Sequence, residues 1–259
     1  MVIYFWAVVH DRPTSWACEI ENWDACSVPI RLPNQSTVSR RLRTTQIEQM
    51  IESIFQSFTL HTLLPQYLCI DGKPLVISDH SRDPDAQNGW AGFGFAKGYK
   101  LHAIWGKGPI PVCFSVTSLN VGEAKVARDL IKQIQHPAYI VGDKQYDSNP
   151  LHEAARAQNC QLIAEQKNRS GRLAAKRKHS PNRIKCFEIL KTTKGKRLLK
   201  YRDRIERHFG KLTCHGAGLG PLPAWVRTIQ RVQMWVKAKL IINAIHTIYN
   251  KNKTMNALA

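Results

Sequence analysis

The chain has 259 residues, 38 lysines and arginines against 19 acids, a formal net charge of +19 and a hydrophobic fraction of 43 %. That length and apolar content support one large domain or two modest ones with a packed core. The basic excess calls for nucleic acid or an anionic membrane surface, and the apolar start, MVIYFWAVV, is far shorter than the ~20 residues that span a bilayer. The membrane is therefore excluded and nucleic acid is the expected partner.

The opening stretch is closed by His10, Asp11 and Arg12 and reads as a buried helix, not a signal peptide or an anchor. In TSWACEIENW, Trp16, Ile20 and Trp23 stand at helical spacing, with Thr14 or Ser15 as the N-cap. QSTVSRRL predicts a short helix with Val38 and Leu42 on one face. It resembles a recognition helix, with Ser36 in its first turn for base edges and Arg40 and Arg41 further on for phosphates. Thr45-x-x-Glu48 reads as a capping box opening an amphipathic helix with the stripe Ile47, Met50 and Ile51, Ile54 and Phe55, and Phe58. Residues 1–60 are thus expected to form a small helical, helix-turn-helix-like DNA-binding segment.

From residue 66 the texture changes. QYLCIDGKPL predicts a strand ending in an acid, AKGYKLHAIWGKGPIPVCFSV two strands around a Gly/Pro turn, and GEAKVARDLIKQI a helix. AYIV is a strand, LHEAARAQ a helix capped by Asn149 with Pro150 at its first position, and CQLIAE another strand. This order predicts a sheet covered by helices, an α/β architecture. Residues 167–200 hold thirteen lysines or arginines and one acid, with no strand signal before KCFEIL. They read as a basic insertion, either a linker or a DNA clamp through Arg172, Lys176, Arg177 and Lys178. Beyond it, Leu198, Ile205, Phe209 and Leu212 mark an inward helical stripe. A last helix from about Pro223 turns Trp225, Ile229, Val232, Val236, Leu240 and Ala244 inward. The seven cysteines form no C-x-x-C pair, so a zinc ribbon is excluded and reduced core thiols of an intracellular protein are expected.

Three acids carry the candidate chemistry. Asp71 stands at the end of the first predicted strand, Asp143 at the end of AYIV, and Glu206 on the helix after the basic insertion. If the two strands are neighbours, Asp71 and Asp143 emerge side by side, and a helix laid against the sheet can bring Glu206 to them. Three hard oxygen donors suit Mg²⁺ or Mn²⁺. Two such ions roughly 3.5–4 Å apart activate the attacking oxygen and stabilise the leaving one in phosphodiester displacement. Lys73 and Lys144 directly follow the two aspartates and are candidate phosphate clamps. His102 reads as a satisfied core histidine.

The stretches CIDGKPL, GYKLHAI, VGDKQYDSNPL, YRDRIERHFGKL and RVQMWVKAKLIINAI resemble the DDE transposases of bacterial insertion sequences, in the IS4/IS5-like group. The likeness covers most of residues 66–250. It implies a ribonuclease H-like fold, a mixed sheet flanked by helices, and metal-dependent strand cleavage and strand transfer on DNA. The partners it implies are the terminal repeats of the element and a target DNA, bound by a homodimer in the bacterial cytoplasm and nucleoid. Carried over residue by residue, Asp71, Asp143 and Glu206 are the catalytic, metal-holding acids, and Arg202 is the arginine of the Tyr-x2-Arg-x3-Glu-x6-Lys signature. The chain departs from that signature at two places, with Leu199 at the tyrosine position and Thr213 at the lysine position. A metal-dependent nuclease of the same fold, and a truncated copy that binds DNA without activity, are the alternative readings.

Overall fold

The computed structural model describes residues 1–24, 31–60, 66–167, 178–214 and 218–256. Its centre is a six-stranded mixed sheet built from β1 (Tyr67–Val76), β2 (Gln87–Trp90), β3 (Phe95–Trp105), β4 (Cys113–Ser118), β5 (Tyr139–Val141) and β6 (Gln161–Ile163), in the order β2-β3-β1-β5-β6. β3 is long enough that its outer edge pairs with β2 over Phe95–Gly98 and with β4 over Tyr99–Ile104, both antiparallel. β1 runs antiparallel to β3 and parallel to β5, and β5 is parallel to β6.

Alternation along β1 and β3 sends successive side chains to opposite faces. On one face, Leu68, Ile70 and Ile104 meet Val126, Ala127 and Leu130 of α4 (Glu123–Ile131) and Leu151 and Ala155 of α5 (Asn149–Ala157). On the other, Cys69, Leu101, Ala103 and Trp105 meet a larger helical layer. That layer comprises α1 (Val2–Val9), α3 (Thr45–Leu60), α6 (Pro181–Lys191), α7 (Thr193–Leu199), α8 (Arg202–Cys214) and the long α9 (Ile229–Asn256). The result is the expected α/β layering, with the helices on both faces of the sheet.

Several local expectations are corrected. TSWACEIENW forms two short 3-10 turns, Trp16–Cys18 and Ile20–Asn22, with no side-chain cap. α2 (Gln35–Arg41) is capped by Asn34, whose side chain accepts from the Ser36 N–H at 2.9 Å. Thr45 is the first residue of α3 and not its cap, and the hydroxyl of Thr44 goes instead to the Arg41 carbonyl at 2.7 Å. Asn149 lies inside α5, where its amide donates to the Lys178 carbonyl at 2.6 Å and accepts from the Ser180 N–H at 3.2 Å. KCFEIL is helical and belongs to α6, which starts on Pro181 behind the Ser180 cap. Residues 181–199 are therefore two helices packed on β6 and α5, and the linker reading, which concerns residues 167–182, falls mostly outside the described residues. α9 begins at Ile229, and Trp225 stands 41 % exposed in the loop before it. Two carboxylates hold that start: Asp83 accepts from the Thr228 N–H at 3.1 Å and Asp85 from the Ile229 N–H at 2.9 Å. Among the described residues no helix is long and apolar enough to cross a membrane.

Candidate active site

β1 does not stop at Asp71. It continues to Val76 because its antiparallel pairing with β3 runs on from Cys69↔Trp105 to Val76↔Gly98. Its parallel partner β5 does stop, at Val141, which pairs with Cys69. Two residues further along each strand stand Asp71 and Asp143, so both acids lie at the place where β5 leaves the sheet. The close approach there depends on Gly142, since a Cβ at that position would sit 2.8 Å from the Tyr146 ring and 3.0 Å from Ile70.

Each aspartate gives one oxygen to the backbone. Asp71 Oδ1 accepts from the Gly72 N–H at 2.8 Å. Asp143 Oδ1 accepts from the Gln145 N–H at 2.8 Å, capping the short turn Lys144–Tyr146. Burial pushes the Asp71 carboxyl up to about 6; the Gly72 hydrogen bond opposes the rise, Glu123 and then Asp143 add to it, and Arg202 draws it down. This is a half-buried carboxylate with like charges beside it.

The opposite wall is α8. The Cys69 thiol donates to the Tyr201 carbonyl at 2.8 Å, Tyr67 stacks on Tyr201 at 4.7 Å, and the Lys73 ammonium donates to the Thr213 hydroxyl at 3.0 Å. These contacts lay α8 along β1 from its first residues to just beyond Asp71, with Arg202 and Glu206 between them. Glu206 is held in an ion pair with Arg202 at 3.2 Å, the two side chains 54 % and 42 % exposed. Among the described residues no three Asp, Glu, His or Cys side chains converge closely enough to hold a metal ion. The structure thus brings Asp71 and Asp143 together and places α8 alongside, with Glu206 turned to Arg202. Lys73 reaches the Thr213 hydroxyl, so a lysine charge stands near the position where the signature has its lysine.

One acid was missed from the sequence. Glu123, in the first turn of α4, forms an ion pair with Lys100 at 2.8 Å. Its carboxylate lies 3.2 Å from where a Cβ on Gly72 would be, with Lys100 at 3.1 Å, so Gly72 makes room for this pair. A first-turn glutamate reads in sequence as a helix-dipole partner, and nothing in its spacing links it to Asp71. Tyr146 is buried on the same side, and its hydroxyl, raised well above its ordinary range by burial and then by Glu123, Asp71 and Asp143, faces these acids.

The other polar groups have structural roles. Asp147 is buried and accepts from Arg183 twice at 2.7 Å, from the Lys167 N–H at 2.9 Å and from His152 at 3.3 Å. Burial alone would raise its carboxyl, but His152, Arg183 and the Lys167 N–H together hold it at about 2. His102 is 2 % exposed, bonded to the Thr117 hydroxyl at 3.0 Å, and lowered to about 4 by burial, a neutral core histidine as expected. Ser36, Arg40, Arg41, Lys144 and Lys178 are exposed. Arg172, Lys176 and Arg177 lie outside the described residues.

The profile of the family described as Transposase DDE domain matches residues 63–223, more than half of the chain. The chain belongs to that family. Its mixed sheet flanked by helices is the ribonuclease H-like fold. The cryo-EM structure of a piggyBac transposase synaptic complex with hairpin DNA is similar over 99 % of this chain and 66 % of that one, with a TM-score of 0.52 and 12 % identity. The chain thus spans just under two thirds of that relative's length. The Mos1 transposase paired-end complex with left transposon end gives a TM-score of 0.27 at 13 % identity, over 68 % of this chain and 69 % of that one. The catalytic domain of Mos1 mariner transposase gives 0.28 at 11 % identity, over 84 % and 98 %. No curated protein sequence matches the chain. The family profile begins at residue 63, so α1, α2 and α3 of this DDE transposase family member lie outside it.

Proposed function

We propose that the chain is a DNA transposase of the bacterial insertion-sequence type, IS4/IS5-like, that binds the ends of its element and catalyses strand cleavage and strand transfer. The observation that carries this reading is the register of β1 and β5, which sets Asp71 and Asp143 side by side at the sheet edge of a family-matched domain, with α8 alongside. In this reading Asp71, Asp143 and Glu206 hold Mg²⁺ or Mn²⁺, two ions in the working complex. The donors fit: they are hard carboxylate oxygens, and each aspartate keeps an oxygen that no backbone N–H takes. When bound, the ions supply Lewis-acid stabilisation of the attacking and leaving oxygens.

The chain's own residues do the rest. Asp71 and Asp143 set where the ions would be held, at the place where β5 leaves the sheet; being anionic, they take no phosphate oxygen themselves. Glu206 joins them by leaving Arg202, which frees that guanidinium to take a phosphate oxygen of the cut strand. Lys73 and Lys144, on either side of the acids, neutralise the flanking backbone. The exposed face of α2, with Ser36, Arg40 and Arg41, contacts the terminal repeat, and residues 1–60 form the DNA-binding segment ahead of a catalytic domain at 66–250. Two chains hold two element ends in the bacterial nucleoid.

The test is incubation of the full chain with DNA carrying the ends of its own element and Mg²⁺, with the cut and joined positions mapped. Asp71→Ala, Asp143→Ala and Glu206→Gln are each expected to abolish cleavage and to leave DNA binding near normal, because phosphate contacts lie elsewhere. Cleavage surviving in Glu206→Gln would remove Glu206 from the site. Free ends without joined product would turn the reading to a nuclease of the same fold.

A further inference from the structure

A cleft of about 370 Å³ opens between the N-terminal helices and the last helix, on a part of the molecule remote in sequence from the acids. Arg12, Arg43 and Arg231 line it, together with Gln35, Trp225 and Trp235. No acidic residue is among its lining residues. None of the three arginines enters an ion pair among the described residues, and the one side-chain hydrogen bond seen for them is a long one, Arg43 to the Ser39 hydroxyl at 3.5 Å. Where this fold buries a lysine it pairs it closely, as in Lys100–Glu123 and Lys239–Asp11 at 2.8 and 2.7 Å. Here three arginines line one concavity with no acid among the lining residues, which gives it a positive field suited to an anionic occupant.

The aromatic lining narrows the occupant. Trp235 is 4 % exposed and belongs to the core, whereas Trp225 is 41 % exposed and contributes little burial to the fold. A flat indole beside planar guanidiniums is the pairing that takes a base and its phosphate together. The volume suits one nucleotide and not a duplex, since small-ligand sites begin near ~300 Å³.

We propose that this cleft binds an unpaired nucleotide of a DNA strand, with Arg12, Arg43 and Arg231 on the phosphates and Trp225 stacked on the base. It rests on the reading of the chain as a DNA enzyme and adds a second contact face to α2. Ser36, Arg40 and Arg41 are left for the duplex, and Gln35, Ser39 and Arg43 point to the cleft.

The experiment uses the full chain and two probes, a labelled single-stranded oligodeoxynucleotide of about ten nucleotides, a length within the usual strand-binding site range, and a duplex of element-end sequence. All four positions are exposed, and unchanged melting curves establish that the variants fold. Substituting Arg12→Gln, Arg43→Gln and Arg231→Gln together is expected to lower the log–log salt slope of single-strand binding by about 1, from ~0.7 for each of the one or two phosphates that flank the bound nucleotide. Trp225→Ala is expected to weaken that binding about tenfold and Trp225→Phe to restore most of it. Arg40→Gln with Arg41→Gln is expected to weaken duplex binding and spare the strand. The inference is overturned if the triple variant keeps its slope and Trp225→Ala binds as the parent does. It is also overturned if a polyglutamate peptide competes as well as the strand and Trp225→Ala is neutral, which would assign the cleft to an acidic peptide. Failure of the parent chain to bind either DNA probe would instead sink the DNA reading as a whole.

Discussion

At Asp71 the cost of burial is visible in a single carboxyl group. Its folded value, near 6 against 3.8 in an open chain, means that the folded state resists ionising it. The stability contributed by the protonated form is complete below pH 3.8 and is lost as pH rises through about 6. Asp71→Asn should therefore stabilise the metal-free protein above pH 6, by at most about 3 kcal/mol from the size of the shift, and change little at pH 4. Thermal melts at the two pH values check this, and equal effects at both would contradict it. Because Glu123 is the larger of the two like charges acting on Asp71, Glu123→Gln should lower the Asp71 midpoint in the metal-free protein, read from its carboxyl carbon shift. Asp147 behaves in the opposite way. Its folded value near 2 contributes stability that is present above about 3.8 and is lost as pH falls through 2. Arg183→Leu leaves that buried carboxylate with only His152 and the Lys167 N–H as partners and should cost up to about 3–5 kcal/mol in a denaturant melt at pH 7.

Among the elements, what the sequence disclosed and what it hid follow from range. The strand-helix order from residue 66 and the inward stripe of Leu198, Ile205, Phe209 and Leu212 were legible, because alternation and helical period are local, whereas the pairing of the Asp71 and Asp143 strands was only a condition until β1 and β5 were seen side by side. β2 was not, since QNGW carries no alternation and pairs only because β3 extends far enough to receive it. KCFEIL misled because an apolar run of that length fits either structure, and the Ser180–Pro181 start was the better signal. Glu123 was hidden because its relation to Asp71 spans 52 positions of sequence and is made by α4 packing on the sheet. The same packing changes how the N-terminal elements can be tested. Tyr4 and Val8 of α1 and Ile51 and Phe55 of α3 are buried in the cluster that holds the sheet and α9. Deleting residues 1–44 would therefore unseat part of the core as well as α2. Arg40→Gln with Arg41→Gln is the cleaner probe, expected to abolish preference for the terminal repeats in a footprint and leave the melting curve unchanged. For the segment before α6, neutralising Arg172, Lys176, Arg177 and Lys178 should flatten the duplex salt slope by roughly 3 to 4, at about 0.9 per phosphate contact. An unchanged slope would leave the segment a solvated connection.

On the scale of the whole molecule, the first and last described elements are packed against each other. α1 and α3 lie on α9, Glu52 is ion-paired to Lys237, and Asp11 meets the fully buried Lys239 at 2.7 Å. During synthesis the N-terminal helices leave the ribosome long before residues 229–256 exist. Until then Tyr4, Val8, Ile51 and Phe55 have no surface to cover them, and Asp11 has no ammonium to face. The helix bearing Ser36, Arg40 and Arg41 lies in sequence between α1 and α3, so on the DNA-binding reading proposed above its surroundings are complete only once α9 is in place. A chain broken off before α9 should therefore be open to proteolysis through the undocked α1 and α3. Ribosome-bound chains arrested near residue 225 should lose α1 and α3 to brief protease treatment that full-length chains withstand.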